Sequence, residues 1–361
     1  MTSPTERGRR AAIVGTGLIG GSIGMALRRA GWWVTGSDLD PSRAAQALAC
    51  GAVDEVGADP QAEVTFIAAP VGAIAGAARA ALAAGPGVVT DVGGVKERIL
   101  SEVGDPRFIG GHPMAGSEQE GVEGADPDMF VGAAWVLTPT SQTDMEAYAL
   151  VHSIVSALGA DVVAVEPARH DALVAVVSHV PHLTAAALMT LAASEAEQHA
   201  TVLRLAAGGF RDMTRIAAGH PGIWPDICVD NSRAIVSVLD SLLDSLGALR
   251  SAVADNDRAT LLQRLERANV ARRNLPGRSA ARAEELIEFR VPVPDRQGVL
   301  AEVTTLCSQL AVNIEDIETA HSLEGDKGVL VFVVDAGARD RLRDALMQRG
   351  YRPSVQPLAP S

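Results

Sequence analysis

Several short runs in this 361-residue chain carry side chains that can do chemistry. Gly15-Thr16-Gly17-Leu18-Ile19-Gly20 follows the apolar run AAIVG and leads into a helix-compatible stretch that continues through Leu27. In such a turn the first glycine permits the tight bend and the second lets the backbone approach a pyrophosphate. The third allows close helix packing, so that the first-turn amides, including those of Leu18 and Ile19, face an anion. Asp38 ends the next β-rich run, where a carboxylate accepts hydrogen bonds from a ribose and repels a 2′-phosphate. The pairing favours NAD over NADP, with Arg43 close by in sequence as the opposing charge.

Three further runs are polar: Gly110-Gly111-His112-Pro113-Met114-Ala115-Gly116-Ser117-Glu118, Ser178-His179-Val180-Pro181-His182, and Gly208-Gly209-Phe210-Arg211-Asp212-Met213-Thr214-Arg215 with Trp224 beyond it. His112 ends a strand candidate, at the edge where ligands of open α/β sheets collect, and an imidazole titrates near enough to neutrality to act as a general base. A structural histidine in a glycine loop is the alternative. Arg215 offers the planar fork that matches a carboxylate. Asp212, three residues earlier, would steady it on one helix face, unless the two form a solvated surface pair. Pro181 should break or start a helix, putting His182 in a first turn whose free amides favour an anion. Ser178, His179 and His182 then line one wall, although His179 reads equally well as a buried, satisfied histidine. Lys96, one of two lysines with Lys327, is a candidate ammonium near the cofactor or substrate, or a chance placement.

These residues need a scaffold. From residue 10 to about 165, the runs AAIVG, WWVTGSD, VTFIAAP, GVVTDV, RFIGG, AAWVLTP and DVVAVE alternate with Ala-rich stretches. That alternation predicts a doubly wound, mostly parallel Rossmann-type sheet covered by helices over residues 1–165. Residues 166–275 read as all-helical, with long segments from Leu183, Asp226 and Arg258. A polar, Arg-rich linker at 276–284 precedes residues 285–361, whose βαββαβ order is the ferredoxin-like plan.

Composition narrows the partners. A net charge of -13 gives no positive field for a nucleic-acid backbone. No run approaches the ~20 apolar residues of a membrane span. Cys50, Cys228 and Cys307 are far apart and form no CxxC, so a reducing cytoplasm suits them, and no metal is expected.

GGHPMAGSE and GGFRDMTR, in this order behind a dinucleotide fingerprint, resemble the prephenate/arogenate dehydrogenase family through residue 275. The resemblance implies hydride transfer from a ring carbinol to NAD, coupled to decarboxylation and aromatisation, in tyrosine biosynthesis. Prephenate would give 4-hydroxyphenylpyruvate, and arogenate would give tyrosine directly. It implies that His112 takes the hydroxyl proton, that Arg215 holds the ring carboxylate, that Glu118 and Trp224 line the pocket, and that the helical region forms a homodimer. Glu118 reads equally as a solvated loop acid and Trp224 as core. The chain departs from the family at Gly94, where a serine before Val-Lys usually bonds the substrate hydroxyl; a water or Ser117 would have to substitute. The run from Pro292 to Val303, with Asn313-Ile314, is similar to ACT domains, which implies an amino-acid effector, foremost tyrosine, at Asp295, Gln297, Gly298 and Asn313. A ferredoxin-like module that only dimerises is the alternative.

Two other functions fit parts of the pattern. A 3-hydroxy acid dehydrogenase also joins a Rossmann domain to a helical one, but it needs a lysine that residues 166–275 lack. A catalytically inactive sensor of NAD and an amino acid would explain Gly94, but not the retention of His112 and Arg215.

Overall fold

Alternating strands and Ala-rich helices wind around one sheet in the first of two compact units, residues 1–254 and 255–361. The computed structural model describes residues 8–116, 119–198, 203–274, 286–294, 296, 298–321 and 327–357. The expected linker at 276–284 and the site candidates Ser117, Glu118, Asp295 and Gln297 lie outside the described residues.

The first unit opens with β1 (Arg10–Val14), α1 (Leu18–Arg29), β2 (Trp33–Ser37), α2 (Pro41–Ala49), β3 (Glu55–Val56), β4 (Val64–Ile67), α3 (Val71–Ala84) and β5 (Val88–Asp91). It continues with α4 (Glu97–Val103), β6 (Phe108–Pro113), β7 (Ala134–Thr138), α5 (Met145–Ala157) and β8 (Asp161–Ala164). The strand order is β3-β2-β1-β4-β5-β6-β7-β8. All pairs are parallel except β6 with β7. Two apolar layers sandwich this sheet, one built on Phe66, Phe130, Trp135 and α1 and α5, the other on Ile74, Leu82 and Ile99 of α3 and α4. Burial on both faces is what turns the strands into near-continuous apolar runs.

Local chemistry sets the helix starts. Asp40 and Asp144 accept first-turn amides of α2 and α5, and Pro41 supplies a preset φ. Glu166 does the same for α6 (Pro167–Val174), with Pro167 at its first position, so the helical region begins with a capped helix directly after β8.

The helical region continues through a π-turn (Ala175–His179) straight into α7 (Val180–Gln198), then α8 (Gly208–Thr214), a 3₁₀ turn (Arg215–Ala218), α9 (Trp224–Asp230) and α10 (Ser232–Ala254). Pro181 therefore stands at the start of an α-helical stretch, but not at a free helix end. The amide of Val180 bonds the carbonyl of Ala175 across the widened turn. The reading that put His182 among free first-turn amides is corrected accordingly, because the π-turn accommodates the proline without breaking the rod. Residues 167–196 are long and apolar enough, by length and composition, to cross a membrane. The same helix holds His170 and Asp171 in a buried polar network, and packs Ala175 and Val180 against Ile235 of α10, as a core helix does.

The second unit comprises α11 (Arg258–Arg273), β9 (Leu286–Pro294), α12 (Val299–Gln309), β10 (Asp316–His321), β11 (Lys327–Asp335), α13 (Arg339–Gln348) and β12 (Ser354–Pro357). Its four strands form an antiparallel sheet in the order β10-β11-β9-β12, the ferredoxin-like plan. Phe289 and Phe332 pair across β9 and β11 and stack at 5.5 Å on the face covered by Val303, Leu306, Leu342 and Leu346 of α12 and α13.

Candidate active site

The glycine turn between β1 and α1 is shaped by contact. Gly15 has φ +94°, and a side chain there would run into the Ala68 carbonyl. Gly17 precedes α1 with open space about it and no side chain capping the helix, which leaves the first-turn amides available to an anion. Asp38 accepts from the Thr16 amide at 2.9 Å, the Thr16 hydroxyl at 3.3 Å and the Asp40 amide at 3.0 Å, so its carboxylate is fixed beside the turn. Arg43 is exposed and lies 3.9 Å from Asp40. The uncapped helix start and the anchored carboxylate fit an adenine dinucleotide whose ribose carries free hydroxyls.

At the end of β6, Gly111 is required by close packing: a Cβ there would sit 2.6 Å from the Asp91 carbonyl oxygen. That fit sets His112 over the loop after β5. Asp91 accepts from the Gly93 amide at 2.9 Å and the Gly111 amide at 3.1 Å, and it pairs with the Lys96 ammonium. Lys96 is fully buried, and its ammonium is paired with Asp91. Burial pulls Lys96 below the usual lysine range, and Asp91 opposes that pull.

His112 is tied from behind by α6. Its Nδ1 lies 2.9 Å from Nε2 of His170, and Nδ1 of His170 lies 2.7 Å from Oδ1 of Asp171. Asp171 also accepts the Lys96 amide at 2.8 Å and the Glu97 amide at 2.9 Å, so it docks α6 on the first turn of α4. Arg98 adds a bridge from α4 to Asp230 at the end of α9. The opposite edge of His112 faces Gly94, where a Cβ would stand 3.8 Å from Nε2. Burial, then Lys96, His170 and His179, hold the His112 imidazole well below the ordinary histidine range, so it is neutral and able to accept a proton.

The helical wall comes from the π-turn and α9. Asn231 donates to the Asp171 carbonyl at 2.8 Å, which fixes its amide nitrogen, and the same nitrogen lies 3.1 Å from Nδ1 of His179. His179 is buried, with its pKa lowered to about 4 chiefly by desolvation. It matches the alternative of a buried, satisfied histidine. His182 stacks flat on Trp224 at 3.6 Å, and His179 meets the same indole edge-on at 6.2 Å. Ser178, immediately before His179 in the chain, is exposed. Arg215 opens the 3₁₀ turn that packs against α7, exposed like Asp212 in the preceding α8. In the second unit Gly298 precedes α12 at φ +92°, and Asn313 is exposed and bonds Glu315 at 2.8 Å.

The structure thus brings together His112, His179, His182 and Trp224. It adds four partners absent from the sequence reading: Asp91, His170, Asp171 and Asn231. A His-Asp pair in the first turns of a helix at a domain boundary was the available signal.

Residues 23–164 match the family described as "Prephenate dehydrogenase, nucleotide-binding domain", residues 166–267 "Prephenate dehydrogenase, dimerization domain", and residues 287–350 "ACT domain". A prephenate dehydrogenase of Bacillus subtilis is 31% identical over 333 residues, covering 88% of this chain and 90% of the relative. The structure of A. aeolicus prephenate dehydrogenase in complex with hydroxyphenyl propionate and NAD+ is 29% identical with a TM-score of 0.70, covering 73% of this chain and 97% of that one. Synechocystis arogenate dehydrogenase is 32% identical with a TM-score of 0.64, covering 73% and 98%.

Proposed function

The chain belongs to the prephenate dehydrogenase family, and from that premise we propose that it oxidatively decarboxylates prephenate to 4-hydroxyphenylpyruvate with reduction of NAD. The observation that carries this reading is the placement of His112: a ring tied at Nδ1 to His170, with Nε2 turned to open space beside Gly94. Nε2 takes the proton of the ring hydroxyl as the carbinol hydrogen leaves as hydride and the ring carboxylate leaves as carbon dioxide. NAD, when bound at the glycine turn with Asp38 on its ribose, supplies the hydride acceptor. Leu18, Ile19 and Gly20 continue that cradle. Arg215, steadied by Asp212, holds a substrate carboxylate, and the stacked His182 and Trp224 with Ser178 bound the side chain of the substrate. Ser117 and Glu118 complete the pocket in this reading. Aromatisation of the product ring drives the reaction, so the protein mainly orients the ring and removes one proton.

Arogenate in place of prephenate is the second reading, favoured by the likeness to the Synechocystis enzyme. NADH formation with NAD and either prephenate or arogenate distinguishes them, and NADP in place of NAD tests the cofactor. No NADH with either substrate would overturn the proposal.

The division into a dinucleotide-binding domain (1–165), a helical domain (166–275), a linker and an ACT domain (285–361) is part of the same reading, as is a cytoplasmic location. The helical domain pairs two copies of the chain. Exposed Val176, Val177, Leu243 and Leu246 and an apolar groove of about 620 Å³ between α7 and α10 support that pairing. The ACT domain takes an amino-acid effector, tyrosine, around Gly298 and Asn313, with Asp295 and Gln297.

A further inference from the structure

His112 does not stand alone behind its open edge. Asp171 on α6 accepts backbone N–H bonds on both oxygens, from Lys96 at 2.8 Å and Glu97 at 2.9 Å, as a carboxylate does. The proton in its 2.7 Å contact with His170 therefore lies on Nδ1 of the imidazole. With its single ring proton on Nδ1 facing Asp171, the Nε2 of His170 is the acceptor in its 2.9 Å contact with Nδ1 of His112. The chain of donors runs one way: His112 Nδ1–H to His170, and His170 Nδ1–H to Asp171.

We propose that His170 and Asp171 form a positioning relay that holds His112 with its proton on Nδ1 and its lone pair on Nε2, and that shares the positive charge once Nε2 has taken the substrate proton. The relay rests on the reading of His112 as the base. The transfer balances: the hydroxyl proton arrives at Nε2, and the Nδ1 proton moves toward Nε2 of His170, whose own proton stays on the Asp171 side. The charged and titratable groups that act on His112 are Lys96 of the β5–α4 loop, paired with Asp91 at the end of β5, His170 of α6, paired with Asp171, and His179 of the π-turn. Lys96 disfavours an imidazolium, while Asp171 at the far end of the relay favours one. His170 and Asp171 are 1% and 3% exposed, so water does not replace either contact. Asp171 also fastens α6 to α4, so the docking of the helical region and the tautomer of His112 depend on one carboxylate.

The test is a nitrogen-15 NMR measurement on the full-length protein labelled at histidine, with His112 assigned by comparison with His112→Asn. The relay requires a protonated Nδ1 and a bare Nε2 at neutral pH; a protonated Nε2 overturns it. In His170→Ala the Nδ1 preference should disappear and the Nε2–H form, favoured by a free imidazole, should emerge. This readout needs no substrate, so it separates failure of the relay from failure of the proposed reaction. In turnover, His170→Ala should lower kcat by roughly 10- to 100-fold, the range for losing a group that orients a histidine, and leave KM within about threefold. His170→Gln places an amide oxygen near the Nε2 position and should recover part of kcat. Equal impairment of both variants with an unchanged His112 tautomer would leave His170 a structural residue and overturn the proposal.

Discussion

His112 and Gly94 face each other across a gap: a Cβ at position 94 would stand 3.8 Å from Nε2 and Cε1 of the imidazole, at ordinary van der Waals distance, with no other atom within 4 Å beyond its chain neighbours. Gly94→Ser should therefore fold like the parent and bring a hydroxyl to the edge of the base. A hydrogen bond to the substrate hydroxyl is worth about 0.5–1.5 kcal/mol net, so KM should fall by roughly two- to tenfold. Unchanged steady-state constants would show that the substrate hydroxyl does not approach this edge.

For His112 itself, His112→Asn should leave KM nearly intact and reduce kcat by roughly 10²- to 10⁴-fold. Because burial and Lys96 hold the ring below the ordinary histidine range, the parent's kcat/KM should stay level as pH falls past 6.5 and decline only below it. An acid limb centred at or above 6.5 would contradict this environment.

Stability should follow a related rule through His179, whose pKa is lowered from 6.5 to about 4 in the folded chain. Between those values the unfolded chain binds the proton that the folded chain excludes, so stability is full above about pH 6.5 and falls as pH drops toward 4. Denaturant unfolding at several pH values measures the slope, and His179→Gln should flatten it. Equal slopes in both proteins would assign the acid sensitivity elsewhere.

Asp38→Ala removes a ribose acceptor, the repulsion of a 2′-phosphate, and the carboxylate that steadies Thr16. KM for NAD should rise, and the NAD to NADP ratio of kcat/KM should fall. A parent ratio near one would refute the preference for NAD.

Tyrosine added to the full-length enzyme should weaken apparent substrate affinity, by roughly 5- to 150-fold for a typical allosteric coupling of ~1–3 kcal/mol. Asn313→Ala should remove the response and spare the uninhibited rate. Inhibition that survives this change and also survives truncation at residue 284 would place tyrosine in the active site.

Where side chains repeat with a clear period, the sequence was readable. The apolar runs became β1, β2 and β4 to β8, and the glycines, Asp38 and His112 fell at the turns and strand ends their types require. The edge strand β3 was invisible, because Glu55 and Val56 are both exposed and too short for any alternation. The π-turn escaped because composition does not distinguish a five-residue turn from a helical one. The partners of His112 escaped for a different reason: His170 lies 58 positions away, and its role exists only once α6 is docked on α4. Lys96 was noticed as unusual, but a sequence carries no sign that Asp91 would close over it.

The enclosure of Lys96 has a consequence for covalent chemistry. The chain holds two lysines, and only Lys96 falls in the first unit, where it is fully buried. Amine-directed reagents thus find no lysine target on the surface of residues 8–254, while every arginine there is indifferent to acylation. Modification of Lys96 requires the β5–α4 loop to come away from Asp91, so its rate is a clock for the opening of that loop.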